Sequence, residues 1–209
     1  GYRYGEIAVV LGNMEYQEHV SRIFSRFDIP AFIDEKSNAL SHPFVEFLRA
    51  FLKMIEENFS YETVFRYLRS GFSGISTEEA DILENYCLAL GIRGFKKYSE
   101  KWIRFSKNMT DAELQIVNEI RVKFYDSVKD AALILKDKNE SITRKCTVIY
   151  EFLEKLEVEK QLSIKEEEFL DAGDAVMAKE YHQIFRVSME LLEKYVELLG
   201  EEMISLEEF

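Results

Sequence analysis

Proline and glycine are scarce in this sequence, with 2 and 9 among 209 residues. So few breakers exclude a turn-rich all-β fold and favour long helices. Cysteine is scarcer in any chemical sense: Cys87 and Cys146 stand far apart inside helical patterns. That spacing argues against a disulfide or metal framework and reads as two small buried hydrophobes in a reducing compartment. Positive charge is in deficit, with 27 Lys and Arg against 39 Asp and Glu and a net charge of −12. A free-standing nucleic-acid binder is more often basic, so the chain as a whole does not read as one. No apolar run approaches membrane-spanning length and no signal-peptide layout is present, which points to a soluble cytoplasmic protein without a membrane partner.

Catalytic signatures are missing as well. There is no G-x-x-x-x-G-K-[ST] phosphate loop, so ATP hydrolysis by this chain alone is not expected. The histidines, His19, His42 and His182, lack metal-ligand spacing to one another or to a glutamate. Glu166, Glu167 and Glu168 splay around a helix as a solvated face. Glu180 and His182 are two apart and point to different faces. No nucleophile–base pair can be argued from so few histidines. Catalytic, cofactor and metal residues are therefore expected to be absent.

What is present is mostly helical periodicity. Ile7–Ala8–Val9–Val10–Leu11, closed by Gly12–Asn13, reads as a short strand buried on both faces. Tyr16, Val20, Ile23, Phe24 and Phe27 then fall at helical spacing over 15–27, and Ile29–Pro30–Ala31–Phe32–Ile33 reads as a second strand. This is a βαβ-like stump whose edges lack partners in this chain. After Ser41 every segment reads as helix. Pro43 opens one with an apolar stripe of Phe44, Phe47, Leu48, Phe51, Leu52 and Ile55. Ser60 caps the next, with Phe59 and Val64 spaced as a hydrophobic staple. Ser76 and Glu79 form a capping box before a helix to about Leu90, stopped by Gly91. Thr110 and Glu113 box a long helix to about Lys136, and another covers 142–156. Ser163 and Glu166 are read as the box of the last and longest helix, running to Leu199. Over 181–199, Tyr181, Ile184, Phe185, Ser188, Leu191, Leu192, Tyr195, Leu198 and Leu199 trace a heptad-like seam. The chain opens on Gly1–Tyr2 and closes on Ser205–Leu206–Glu207–Glu208–Phe209, which has capping-box spacing but only one turn of helix to cap. Both ends are expected to be cuts from something larger.

The order of these segments resembles the second motor half of UvrD-like superfamily-one helicases. The residues carrying the likeness are "IAVV" at 7–10, "IPAFID" at 29–34, "HPFVEFLRAFL" at 42–52 and "FSYETVFRYLRSGFSGIS" at 59–76. Together with "LENYCLALGIRG" at 83–94 and the stretch 179–209, they are most similar to the B subunit of AddAB (RexAB) helicase–nucleases. The resemblance implies a mainly α chain: 1–40 as the start of a second RecA-like motor domain, and 41–209 as part of its multi-helical insertion. It implies a role in DNA unwinding and end resection during double-strand-break repair, alongside an AddA-like helicase–nuclease partner. ATP, magnesium and an iron–sulfur cluster would belong to other parts of such an assembly.

Two stretches are candidates for contact with DNA. Arg66, Arg69, Ser70, Gly71, Ser73 and Gly74 would offer arginines and backbone amides to duplex phosphates; the plainer reading is a C-cap and N-cap between packed helices. Arg93, Lys96, Lys97, Lys101, Arg104 and Lys107 place six cations against one acid, with Trp102 among them. Such a mixture suits backbone tracking and base stacking. Here too the plainer reading is a linker whose aromatics fill the core. The competing function is an autonomous protein–protein interaction module docking through 181–199. The unpartnered strands favour the motor reading and predict edge-to-edge dimers of the isolated chain.

Overall fold

The computed structural model describes residues 3–13, 16–31 and 39–209, which fall into two compact units, 1–38 and 39–209. In the first unit a single turn of 3-10 helix, Tyr4–Glu6, leads through an extended Ile7 into 8–11, which has no regular secondary structure and pairs with no strand among the described residues. Ile7, Val9 and Val10 are exposed there. Helix α1, Gln17–Arg26, forms where the apolar spacing places it. Of the expected βαβ stump the described residues therefore show the helix, and no strand forms among them. Of the second strand expected over 29–33, the described residues 29–31 form no strand, and Phe32 and Ile33 lie outside the described residues.

The second unit is entirely helical among its described elements: α2 Pro43–Glu56, α3 Tyr61–Leu68, α4 Thr77–Leu90, α5 Phe95–Ser99, α6 Asp111–Lys136, α7 Ile142–Lys155, α8 Val158–Asp171 and α9 Ala175–Leu199. Local chemistry sets most of the starts. Ser60 accepts from Thr63 N, while Ser76 with Glu79 and Thr110 with Glu113 form reciprocal capping boxes. Gly91 closes α4 with φ of 64°, the left-handed conformation that glycine adopts without strain. The N-cap of α2 is His42, whose Nδ1 accepts from Phe44 N at 3.2 Å.

The core is aromatic. Phe51 of α2 stacks on Phe152 of α7 with ring centroids 3.9 Å apart, and Phe47 lies 5.6 Å from Tyr67 of α3 and 5.9 Å from Phe152. Tyr67 in turn lies 6.1 Å from Phe124 of α6. Four helices therefore meet on one ring cluster, and such ring pairs add about 0.5–1.5 kcal/mol each beyond area burial. Cys87 and Cys146 are buried and free; burial pushes their thiols up to about 12 and about 11.

The long carboxy-terminal helix expected from 163 is two helices. α8 begins at Val158, after Glu157 takes a left-handed φ of 50°, and Ser163 lies inside it, donating to the Glu159 carbonyl. The break comes at Gly173, φ 77°, and Asp174, whose carboxylate caps α9 by accepting from Met177 N at 3.1 Å. A glycine that reverses the chain followed by a good N-cap residue outweighs the continuous apolar pattern. The longest helix is accordingly α6, with 26 residues against 25 for α9.

After α9 the chain turns back over the start of α7. Ile142 N donates to Glu202 O and Thr143 N to Gly200 O, both at 3.0 Å, so the open amides of α7 are met by backbone carbonyls. Lys145 is fully buried and donates its ammonium to Ile204 O. At Ser205–Glu208 the reciprocal capping bonds form, and Phe209 packs 5.4 Å from Tyr195.

Candidate nucleic-acid interface

The cation-rich stretch 93–107 is short helix α5, Phe95–Ser99, followed by chain without regular secondary structure. Gly94, φ 91°, starts it, its amide donating to Phe59 O at 2.9 Å. From there the backbone is clamped to α6 and α4. Asn118 acts as a surrogate strand: its Oδ1 accepts from Trp102 N at 3.0 Å and its Nδ2 donates to Trp102 O at 2.8 Å. Arg121, buried on α6, donates to Tyr98 O at 2.6 Å and to Asn118 Oδ1 at 3.1 Å. Tyr86 donates its hydroxyl to Arg104 O at 2.7 Å. Sequence reasoning missed all of these anchors. The available signal was that Asn118 and Arg121 interrupt the apolar row of α6 beside Val117 and Phe124.

The clamp sorts the side chains. Trp102 is 5 % exposed, stacked on Tyr86 at 4.9 Å, with Nε1 donating to Lys97 O at 2.8 Å. Its indole is core and offers no face to solvent. Ile103 and Phe105 are instead 73 % and 50 % exposed. Arg93, Lys96, Lys101, Arg104 and Lys107 are exposed, with no carboxylate at ion-pair distance among the described residues, whereas Lys97 pairs with Glu100 at 3.1 Å. The outer face of this segment thus carries free cations and two exposed apolar side chains on a chain that is acidic throughout its composition. Next to it runs an open groove of about 860 Å³ whose lining includes Lys101, Ile103, Asn118 and Val122 together with the carboxylates Asp111 and Glu119.

The stretch at 66–74 is organised differently. Arg66 reaches Glu46 on α2 at 2.7 Å, and its hydrogen bond is the main cause holding that carboxyl below the usual range. Arg69 bridges to Asp81 and to Glu84 at 2.5 Å on α4, and Glu84 also accepts from Tyr61 at 2.7 Å. Ser70 donates to Tyr67 O at 2.6 Å; buried Ser73 donates to Leu68 O at 3.0 Å. A Cβ at Gly74 would sit 3.7 Å from Leu156. The first turn of α4 carries Glu78 and Glu79, which already answer its positive end. Every side chain of this cluster named above has an intramolecular partner, so the two candidate stretches differ in kind: one engaged, one free.

Among the described residues no group of three or more His, Cys, Asp or Glu is placed to hold a metal ion, and no helix is long and apolar enough to cross a membrane.

No protein-family profile matches the chain. Among curated proteins it is similar to the B subunit of the ATP-dependent helicase/deoxyribonuclease of Lachnoclostridium phytofermentans, with 37% identity over 212 residues, covering 100% of this chain and 18% of that protein. The same subunit from Clostridium novyi is 36% identical over 208 residues, covering 99% and 18%. That of Acetivibrio thermocellus is 36% identical over 219 residues, covering 100% and 19%. The chain therefore spans less than a fifth of the length of these relatives.

Proposed function

The chain belongs, along its whole length, to the family of ATP-dependent helicase/deoxyribonuclease B subunits, and from this we propose that it is a non-catalytic helical module that helps position DNA in a helicase–nuclease acting in the cytoplasm on broken duplex ends. In this reading 1–40 begins a RecA-like motor domain and 41–209 belongs to its helical insertion. ATP, magnesium and an iron–sulfur cluster are bound by other parts of the assembly, which includes an AddA-like partner. The exposed apolar row Ile7, Val9 and Val10 supports the first assignment, because a continuous apolar run of that composition suits a strand buried on both faces of a sheet. In the isolated chain the same edge would pair with a second copy, which light scattering detects as a dimer.

One observation carries the DNA-positioning role: five cations without carboxylate partners among the described residues, Arg93, Lys96, Lys101, Arg104 and Lys107, on a segment whose backbone is fixed by Asn118, Arg121 and Tyr86. Phosphate contacts of this kind position a nucleic acid without reading sequence. The test is fluorescence anisotropy with labelled duplex and single-stranded DNA over a salt series, using the full-length protein. Binding should weaken steeply with salt, and Lys101→Glu with Arg104→Glu should flatten the log–log slope by about one to two. Unchanged slope and affinity in that double variant would remove the segment from the interface.

A further inference from the structure

A second, smaller hollow, of about 330 Å³, lies where the cation-rich segment ends, between α4 and α6. α4 lends it Ile82 and Asn85, which are three apart and share a face, and α6 lends it Ile116. The turn 106–109 closes its rim. That turn is held in place: Met109 N donates to Ser106 O at 3.2 Å, Asn108 takes a left-handed φ of 62°, and the Tyr86 hydroxyl holds Arg104 O at 2.7 Å.

The hollow has apolar walls and unused polar groups. Ile82 and Ile116 are 40 % and 45 % exposed. The carboxamides of Asn85 and Asn108 have no hydrogen-bond partner among the described residues, and Lys107 has no carboxylate partner among them. Glu113 is the one carboxylate in the lining, and it is occupied: it accepts from Thr110 N at 2.7 Å and from Thr110 Oγ1 at 2.8 Å. The larger groove beside Lys101 carries two carboxylates, Asp111 and Glu119, and is the poorer seat for an anion. Just before the turn, Phe105 is 50 % exposed and stands in the chain between the free cations Arg104 and Lys107.

This combination distinguishes two forms of DNA. A duplex shows its phosphates and keeps its base faces stacked inside, so it would use Arg104 and Lys107 and leave Phe105 and the hollow in water. An unpaired strand offers phosphates, open base faces and open base edges together. A hollow of this size falls in the range of small-ligand pockets, which begins at about 300 Å³. We propose that this end of the segment holds an unpaired stretch of DNA: one base stacks on Phe105, a neighbouring base enters the hollow with its edge toward the Asn85 and Asn108 amides, and the phosphates lie on Arg104 and Lys107. The assignment rests on the DNA-positioning reading above and adds to it the strandedness of the DNA.

The experiment irradiates the full-length protein, without ATP, in the presence of an oligonucleotide carrying 5-iodouracil, which couples to an aromatic ring stacked on it. One arm uses the single strand, the other the same strand fully paired with blunt ends, and mass spectrometry maps the cross-link. The single strand should cross-link at Phe105 and the duplex should not. Arg104→Glu with Lys107→Glu, Phe105 retained, should lower that yield about tenfold. Phe105→Ala should weaken single-strand binding about fivefold or more with the salt slope unchanged, because stacking releases no counterions. All three positions are exposed, so far-UV circular dichroism should not change. Cross-linking of Phe105 by the duplex, no cross-link there from the single strand, or a yield indifferent to the charge reversal would each overturn the proposal. If Phe105 is not captured while Lys101→Glu with Arg104→Glu still flattens the salt slope, this assignment alone fails; an unchanged slope removes the positioning reading and this one with it.

Discussion

His42 shows how much a single side chain is asked to do. It caps α2 through Nδ1, packs 4.5 Å from the Tyr181 ring, and leaves Nε2 buried without a partner among the described residues. Burial lowers its pKa from 6.5. Well above pH 6.5 the ring is neutral in both folded and unfolded chains and its contribution to stability is complete. Below it the unfolded chain takes up the proton first, and stability falls until the pH passes the lower folded value. Urea midpoints measured from pH 7.5 to 5.5 should therefore decline, by at most ~1.4 kcal/mol per pH unit. His42→Asn, which can still accept from the helix amides, should remove that component. The lowered carboxyls of Glu46, Glu113 and Glu208 start from 4.5, so their loss falls in a separate, more acidic window. The candidate site was partly legible at this scale. The cation run was visible in the sequence, and of the two readings kept open for Trp102 the plainer one, an aromatic filling the core, is the one its burial matches. Phe105 and Ile103 hold the exposed positions instead, because contacts from Asn118 and Tyr86, distant in sequence, decide which side chains turn inward.

Among elements, the starts of α2, α3, α4 and α6 and the stop at Gly91 were readable because each is set by residues within one turn. The box pattern at Ser163 and Glu166 misled for the complementary reason: a cap acts only where the chain is not already helical, and the N-cap of α8 lies six residues earlier, at Glu157, a poor capping residue. Nor could local pattern show the return of 200–204 over α7. That contact rests on Gly200, where a Cβ would stand 2.5 Å from Val196 O and 2.7 Å from Thr143 Oγ1. Gly200→Ala should force the two segments apart, costing about 1–3 kcal/mol. Hydrogen exchange should show the amides of Ile142 and Thr143 losing protection while those of α4 keep theirs.

For the whole molecule, every described residue of the continuous hydrophobic core comes from 44 onward. A chain comprising 39–209 alone should unfold cooperatively within a few degrees of the full 209 residues, as calorimetry would show; a broad or much earlier transition would mean that 1–38 contributes to that core. The first unit then needs its own explanation, and the proposed function offers one: in that reading the apolar segment 7–11 becomes a strand of a sheet completed by the longer protein. Hydrogen exchange at Ile7–Leu11, in the 209-residue chain and in the full-length protein, tests this most directly. The account predicts fast exchange in the first at a concentration where the chain is monomeric, and strong protection in the second. Equally fast exchange in both would contradict it.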